Sequence, residues 1–279
     1  MNIHTVDLYE RYGIPRNGAS GGFLTAFIRT ESAEIKKRIR PSVLIIPGGG
    51  YEVLSDREAE PIAIKFMNSG FCAFVLSYSL RTKYLAPLIE AMLAMRFVRD
   101  NAEEYGTDKG KVCVTGFSAG GHLAGLLATL SQGESAFINK DIGYIRPDAV
   151  LLSYPVVTMK KFTHNGSRDT ITGGDCALFN KLSVDMRVDK NTPPMFIWHT
   201  CKDNWVPVEN SLMLSAALRQ NAVPFALHIF EDGEHGLSTA DEETCDFAAG
   251  QENIKTVSKW FELALDWLGT KGFKVTVLK

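Results

Sequence analysis

Apolar positions along this chain fall into two alternating kinds. Short β-rich runs occur at Phe23–Ile28, Val43–Ile46, Cys72–Ser77, Val112–Thr115, Ala149–Ser153, Met195–Trp198 and Phe225–Phe230. Longer stretches between them repeat their apolar residues at helical spacing: Glu58–Asn68, Leu88–Glu104, Gly120–Leu130, Val208–Gln220 and Ile254–Leu268. Several runs, such as Val43-Leu44-Ile45-Ile46, are apolar throughout, as a strand covered on both faces must be. Strand–helix alternation of this kind predicts an α/β protein with a mostly parallel central sheet flanked by helices. The first two runs, near Thr5–Leu8 and Phe23–Ile28, have no helical pattern between them, which predicts an antiparallel hairpin at the sheet edge.

Two stretches depart from the alternation. Residues 155–193 contain a Gly-Gly pair and one short helical candidate, around Ala177–Val184. A connection this long is usually functional; it is too short for a second domain and reads as a small insertion over the mouth of a site. The whole of 1–279 is therefore expected to be one domain. After Gly272 the tail Phe-Lys-Val-Thr-Val-Leu-Lys alternates like a strand. It could extend a sheet edge within the chain or across a homo-oligomer.

Composition narrows the function classes. Hydrophobic residues make up 45% and charged residues 22%, a balance that suits a globular protein. Thirty basic and 32 acidic side chains leave a formal charge of −2, so no basic excess points to nucleic acid or to a membrane surface. The first residues, Met1 to Asn17, carry no apolar core of signal length, and no apolar run is long enough to cross a bilayer. Five cysteines without paired spacing suggest free thiols in a cytoplasmic protein, each packed as a small buried apolar residue. Neither a CxxC nor an HxxxH pair suggests a metal, and no cofactor is expected.

Candidate chemistry enters with Gly116-Phe117-Ser118-Ala119-Gly120, a G-x-S-x-G pattern between a β-rich run and a small-residue helix. A serine at the tip of a sharp strand-to-helix turn needs strained backbone angles and close flanking contacts, which glycine permits. The turn exposes the hydroxyl and leaves the Ala119 amide at a helix N-terminus, where negative charge is favoured. Serine alone is a poor nucleophile and needs a base oriented by an acid. Asp203 follows the run Met195–Trp198, and His235 follows the run Phe225–Phe230. Both sit just past strand carboxyl ends, where open α/β sheets build their sites, and in the chain order Ser, acid, His. Among the other histidines, His122 and His199 read as local packing or hydrogen-bonding groups. Asp175, Asp232 and Glu234 do not hold a strand-end position one element before the histidine.

An earlier buried run ends in Pro47-Gly48-Gly49-Gly50-Tyr51. Three bare backbone amides there can converge on the oxyanion that forms when an ester carbonyl is attacked. The triplet lacks the Gly-Lys-Ser/Thr ending of a nucleotide loop and the G-x-G-x-x-G spacing. Gly49, Gly50 and Ala119 are the candidate donors, with the pair within 48–50 left open. Tyr51 and Trp205 are candidates for the pocket wall.

Taken together, Pro47–Tyr51, Gly116–His122, Pro193–Thr200, Asp203–Pro207 and Gly233–Gly236 resemble bacterial α/β-hydrolase carboxylesterases, in particular the acetyl-xylan esterase and feruloyl-esterase-like group. Pro47, where many members of the lipase branch carry histidine, separates the chain from that branch. The resemblance implies an α/β-hydrolase fold and a Ser118–Asp203–His235 triad. It also implies a serine carboxylesterase acting on small acyl esters, acetyl first among them, with an acetylated sugar as a candidate substrate. Two other readings use the same residues: a peptidase or lactone hydrolase on the same triad, and a non-catalytic binding module on a hydrolase scaffold.

Overall fold

The structure, a computed structural model, describes residues 1–30, 32–35, 37–245 and 255–278. In chain order its elements are β1 (Asn2–Asp7), α1 (Leu8–Tyr12), β2 (Phe23–Ile28), β3 (Arg38–Ile46), α2 (Glu60–Asn68), β4 (Cys72–Ser77), α3 (Ala86–Asp100), β5 (Thr107–Phe117), α4 (Ser118–Ala128), α5 (Gln132–Ser135), α6 (Ile142–Ile145), β6 (Ala149–Ser153), α7 (Asn165–Thr172), α8 (Leu178–Leu182), β7 (Met195–Thr200), α9 (Glu209–Gln220), β8 (Phe225–Phe230), α10 (Trp260–Thr270) and β9 (Thr276–Val277). The main sheet runs β1-β2-β4-β3-β5-β6-β7-β8. From β4 to β8 neighbouring strands are parallel, and β1 and β2 join antiparallel at one edge.

The uninterrupted apolar runs are explained by the two cores they feed. Alternate side chains of the central strands (Leu44, Ile46, Val112, Val114, Val150, Leu152, Met195, Ile197) pack with residues of α3, α4 and α9. Their neighbours in sequence (Val43, Ile45, Cys113, Leu151, Phe196, Trp198) pack with α2 and α10. A strand between two helical layers has no polar face, so period-two alternation disappears. The edge strand β8, by contrast, is half-buried along its length.

Several expectations need correcting. The hairpin of β1 and β2 pairs in register from Asn2↔Ile28 to Asp7↔Phe23, but a short helix does lie between them. Asp7 caps α1 by accepting from the amides of Tyr9 and Glu10, and Gly13 ends it in the left-handed region. At five residues, α1 is too short to show a periodic pattern. The stretch 155–193 holds two helices rather than one: α7 appears where no periodicity marked it, capped by His164 and stopped by Gly173. The start of the expected helix at Ile254 lies outside the described residues, and α10 runs Trp260–Thr270. The tail turns back on its own chain: β9 pairs antiparallel with the start of β3 through Arg38↔Val277 and Ile39↔Thr276. All five cysteines are free, but Cys176 and Cys201 are exposed and Cys245 is half-buried, so only Cys72 and Cys113 fit the buried-thiol expectation.

Parallel strands deliver their following loops to one end of the sheet. The loops after β3, β5, β6, β7 and β8 therefore converge beyond the carboxyl ends of the central strands.

Candidate active site

At that end β5 passes directly into α4, with Ser118 as the first helical residue. Ser118 takes φ +51°, a strained angle for a side chain with a Cβ, which lifts its hydroxyl out of the strand line. The flanking glycines are steric necessities: a Cβ on Gly120 would overlap the carbonyl oxygens of Ile46 and Pro47, and one on Gly116 would overlap that of Gly120. The turn is tight because the sheet and helix meet without a loop.

The hydroxyl has a partner 117 residues away. Ser118 Oγ lies 2.8 Å from His235 Nε2, and His235 Nδ1 lies 2.6 Å from Asp203 Oδ2. Asp203 is buried, yet it collects four donors. The amides of Trp205 and Val206 donate to Oδ1 at 3.0 and 2.8 Å, and His199 Nε2 approaches Oδ2 at 3.2 Å alongside His235. Burial acts to raise the carboxyl's pKa, but the hydrogen bonds from His199 and His235 outweigh it and hold the group well below the ordinary carboxylate range. His199 is a structural hydrogen-bonding group. Its Nδ1 meets Ser211 Oγ at 2.7 Å and its Nε2 reaches both Val206 O and the carboxylate. Of the rival acids, Asp232 pairs with Lys202 at the surface.

The glycine loop after β3 faces the serine. Gly49 and Gly50 adopt φ of +117° and +68°, which only glycine takes without strain, and their amides meet no acceptor among the described residues. The Gly48 amide is committed elsewhere, donating to Glu58 Oε2 at 2.7 Å. Of the three amides, those of Gly49 and Gly50 are therefore the ones left without an acceptor among the described residues. The Ala119 amide stands in the first turn of α4, where helix amides have no intrahelical acceptor.

Glu58 is the residue that sequence reasoning missed. It ends a short 3₁₀ turn and is almost fully buried. Tyr154, just past β6, donates its hydroxyl to Glu58 Oε1 at 2.7 Å and accepts the Ser238 amide at 2.8 Å. The Tyr154 ring stands edge-on to His235, with centroids 5.0 Å apart. One carboxylate thus ties the glycine loop to the histidine loop. Burial is the largest influence on it and raises its pKa, against the Tyr154 and Gly48 hydrogen bonds. A charged residue before the helix Glu60–Asn68 carried no signal of this; its partners lie 10 and 96 positions away.

Tyr51 is not a pocket-wall residue. It is wholly buried, and its hydroxyl donates to His122 Nδ1 at 2.7 Å while His122 Nε2 donates to Leu182 O at 2.7 Å. The pair fastens the glycine loop and the segment 155–193 to α4. Burial pushes the His122 imidazole down to about 4, so it stays neutral. Trp205 is where a rim residue would be, 68% exposed beside the carboxylate loop. The segment 155–193 does reach the site: His164 stands next to Gly50 and 6.1 Å from the Trp205 ring. Asn210 on α9 pins the start of that segment, accepting from the amides of Val157 and Thr158 and donating to Phe162 O.

Comparison with known proteins bears on this arrangement. The BD-FAE family model matches residues 31–218. The chain belongs to the BD-FAE family. It is 40% identical over 235 residues to endo-1,4-beta-xylanase B of Butyrivibrio fibrisolvens, covering 81% of this chain and 36% of that protein. It is 30% identical over 205 residues to an acetylxylan esterase of Xylanibacter ruminicola, covering 70% of this chain and 41% of that one. The chain thus spans less than half the length of these curated relatives. Among solved structures, an acetyl ester-xyloside bifunctional hydrolase from Caldicellulosiruptor lactoaceticus superposes with a TM-score of 0.83 at 35% identity, covering 97% of both chains. The fold is that of the α/β hydrolases. The BD-FAE match takes in the glycine loop, Ser118, Asp203 and Trp205 but ends before His235. In the structure His235 meets that set through its contacts of 2.8 Å to Ser118 and 2.6 Å to Asp203. Among the described residues, no cluster of three or more His, Cys, Asp or Glu side chains could hold a metal ion, and no helix is long and apolar enough to cross a membrane.

Proposed function

We propose that this BD-FAE member is a serine carboxylesterase that hydrolyses small acyl esters, acetyl first among them, on the hydroxyls of a sugar. The observation that carries this reading is the unbroken line of hydrogen bonds from Ser118 through His235 to Asp203. In it the serine has a base within reach and the base has an ionised acid behind it. The names of an acetylxylan esterase and an acetyl ester-xyloside hydrolase among the relatives support the acetyl and sugar parts.

The chemistry follows from the geometry. His235 Nε2 takes the Ser118 proton as Oγ bonds to the ester carbonyl carbon. The carbonyl π electrons move onto oxygen, which the amides of Gly49, Gly50 and Ala119 receive. As the tetrahedral species collapses, the C–O bond to the alcohol breaks and the imidazolium returns its proton to the leaving oxygen. Water, deprotonated by the same imidazole, then releases the acyl group as a carboxylic acid and restores the serine. Asp203 stays ionised and stabilises the imidazolium formed in both halves. Each preorganised oxyanion donor is worth roughly 3 kcal/mol in comparable sites.

The test is turnover of p-nitrophenyl acetate together with labelling by a fluorophosphonate. Ser118→Ala is expected to lower kcat by about 10⁴-fold or more and to abolish the mass adduct. Undiminished turnover in the variant removes Ser118 as nucleophile. A wild-type protein that neither turns over nor labels overturns the esterase reading.

A further inference from the structure

We propose that His164 and Trp205 together form the subsite for the alcohol part of the substrate, with the indole face carrying a sugar ring and His164 Nε2–H donating to a ring hydroxyl. This rests on the assignment of Ser118 and His235 as the reacting pair and adds to it the side from which the leaving alcohol is held.

The proton on His164 is placed by its backbone neighbours. His164 is the N-cap of α7: its Nδ1 accepts the Ser167 amide at 3.2 Å and lies 2.9 Å from Ser167 Oγ. A nitrogen that accepts an amide hydrogen carries no proton, so in the neutral ring the proton sits on Nε2. Among the described residues Nε2–H has no partner. The ring is held neutral as well. Burial, and then the nearby His235, lower its pKa. A half-buried donor with a fixed tautomer and no acceptor invites an acceptor from outside.

Its location selects what that acceptor belongs to. The ring's Cε1 would lie 3.8 Å from a Cβ on Gly50, so the imidazole borders one of the two open glycine amides. The Trp205 indole stands 6.1 Å from it, centroid to centroid, tilted by 37°. Trp205 is 68% exposed although it is the largest apolar side chain type, and its own amide is tied to Asp203 Oδ1 at 3.0 Å. The backbone anchor keeps the indole at the rim of the site. A flat apolar face beside a lone N–H donor matches a pyranose, whose C–H face packs on an aromatic ring while its hydroxyls accept at the edge. A simple alkyl alcohol would use the indole and leave the imidazole donor unpaired. An anionic leaving group would call for a cation, and this imidazole is neutral.

The experiment measures kcat/KM for acetylated xylopyranose and for p-nitrophenyl acetate, which has no sugar, and takes their ratio. His164→Asn keeps an N-cap acceptor for α7 and withdraws the Nε2–H; Trp205→Ala removes the face, and Trp205→Phe restores part of it. The ratio is expected to fall about tenfold in His164→Asn and in Trp205→Ala, mainly through KM, with recovery in Trp205→Phe. An unchanged ratio in both variants overturns the subsite, including the case where the two rates fall together. A wild type inactive on both esters fails the esterase reading itself, whereas a wild type active only on p-nitrophenyl acetate fails the sugar subsite alone.

Discussion

The loop after β7 and the loop after β3 each bury one carboxylate beside His235, and the two carboxylates are pushed in opposite directions. Asp203, on the first loop, collects two amides and two imidazole nitrogens and is held well below the ordinary range. Glu58, on the second, receives one amide and one phenol, and burial lifts it instead. Both side chains are buried, and the shifts are opposite because the donors around Asp203 outweigh the effect of burial while those around Glu58 do not. Asp203 is held as an anion, which is what the proposed triad requires of it. Glu58 is built as a tie, joining Gly48 to Tyr154 and through Tyr154 to Ser238. A buried carboxylate is therefore not a catalytic signature by itself; its donors decide what it does.

The comparison is broken most severely at Asp203. Asp203→Asn keeps the side chain's size but removes the charge and allows the wrong His235 tautomer. Its kcat on p-nitrophenyl acetate is expected to fall by about 10⁴-fold, with the fold retained by circular dichroism. A loss under tenfold would mean that the loop after β7 does not supply the orienting acid. Glu58→Gln should act more mildly. The amide oxygen can still accept from Gly48, but its NH₂ then faces the Tyr154 hydroxyl, whose proton loses its acceptor. Leaving one buried group unpaired costs about 1–3 kcal/mol, so kcat is expected to fall roughly tenfold with a lowered Tm. An Asp203-sized loss would make Glu58 part of the proton relay rather than a tie.

The smallest effect, and the one that sharpens the contrast, is the pH dependence of stability. Asp203 has a folded pKa below its ordinary 3.8, so its contribution is present above that value and lost as pH falls toward the folded value. Glu58 has a folded pKa above its ordinary 4.5, so its contribution is complete below that value and lost as pH rises through the folded value. Relative to wild type, Asp203→Asn should therefore lose least stability in acid, and Glu58→Gln should compare most favourably at higher pH. Tm measured from pH 3 to pH 8 checks this. Parallel curves for the two variants would erase the distinction.

The two carboxylates also show how legible the site was. Asp203 could be read because it follows an apolar run in the chain order that a serine, an acid and a histidine take in this architecture. Glu58 could not, because nothing in the neighbourhood of Asp56-Arg57-Glu58 distinguishes a buried carboxylate from a solvated helix start. His164 escaped for a similar reason: α7 lacks an apolar stripe, and the histidine's neighbours Gly50 and Trp205 are remote from it in sequence. Tyr51 was misplaced because its neighbours Gly49 and Gly50 do face the site, whereas a positive φ of 64° turns its own side chain into the core toward His122.

What the chain determined by itself is whatever depends on near neighbours in sequence. Apolar periodicity set the strands and helices, Gly116 and Gly120 allowed the turn that exposes Ser118, and Gly49 and Gly50 left amides bare. Each is a local steric or solvation condition that short stretches satisfy alone. Tertiary structure decided which loops meet. Parallel strands bring the loops after β3, β5, β6, β7 and β8 to one end, where buried polar atoms must find partners because water is excluded. The pairing of Glu58 with Tyr154 and the burial of Tyr51 on His122 follow from that requirement, as does the opposite tuning of two carboxylates around one imidazole.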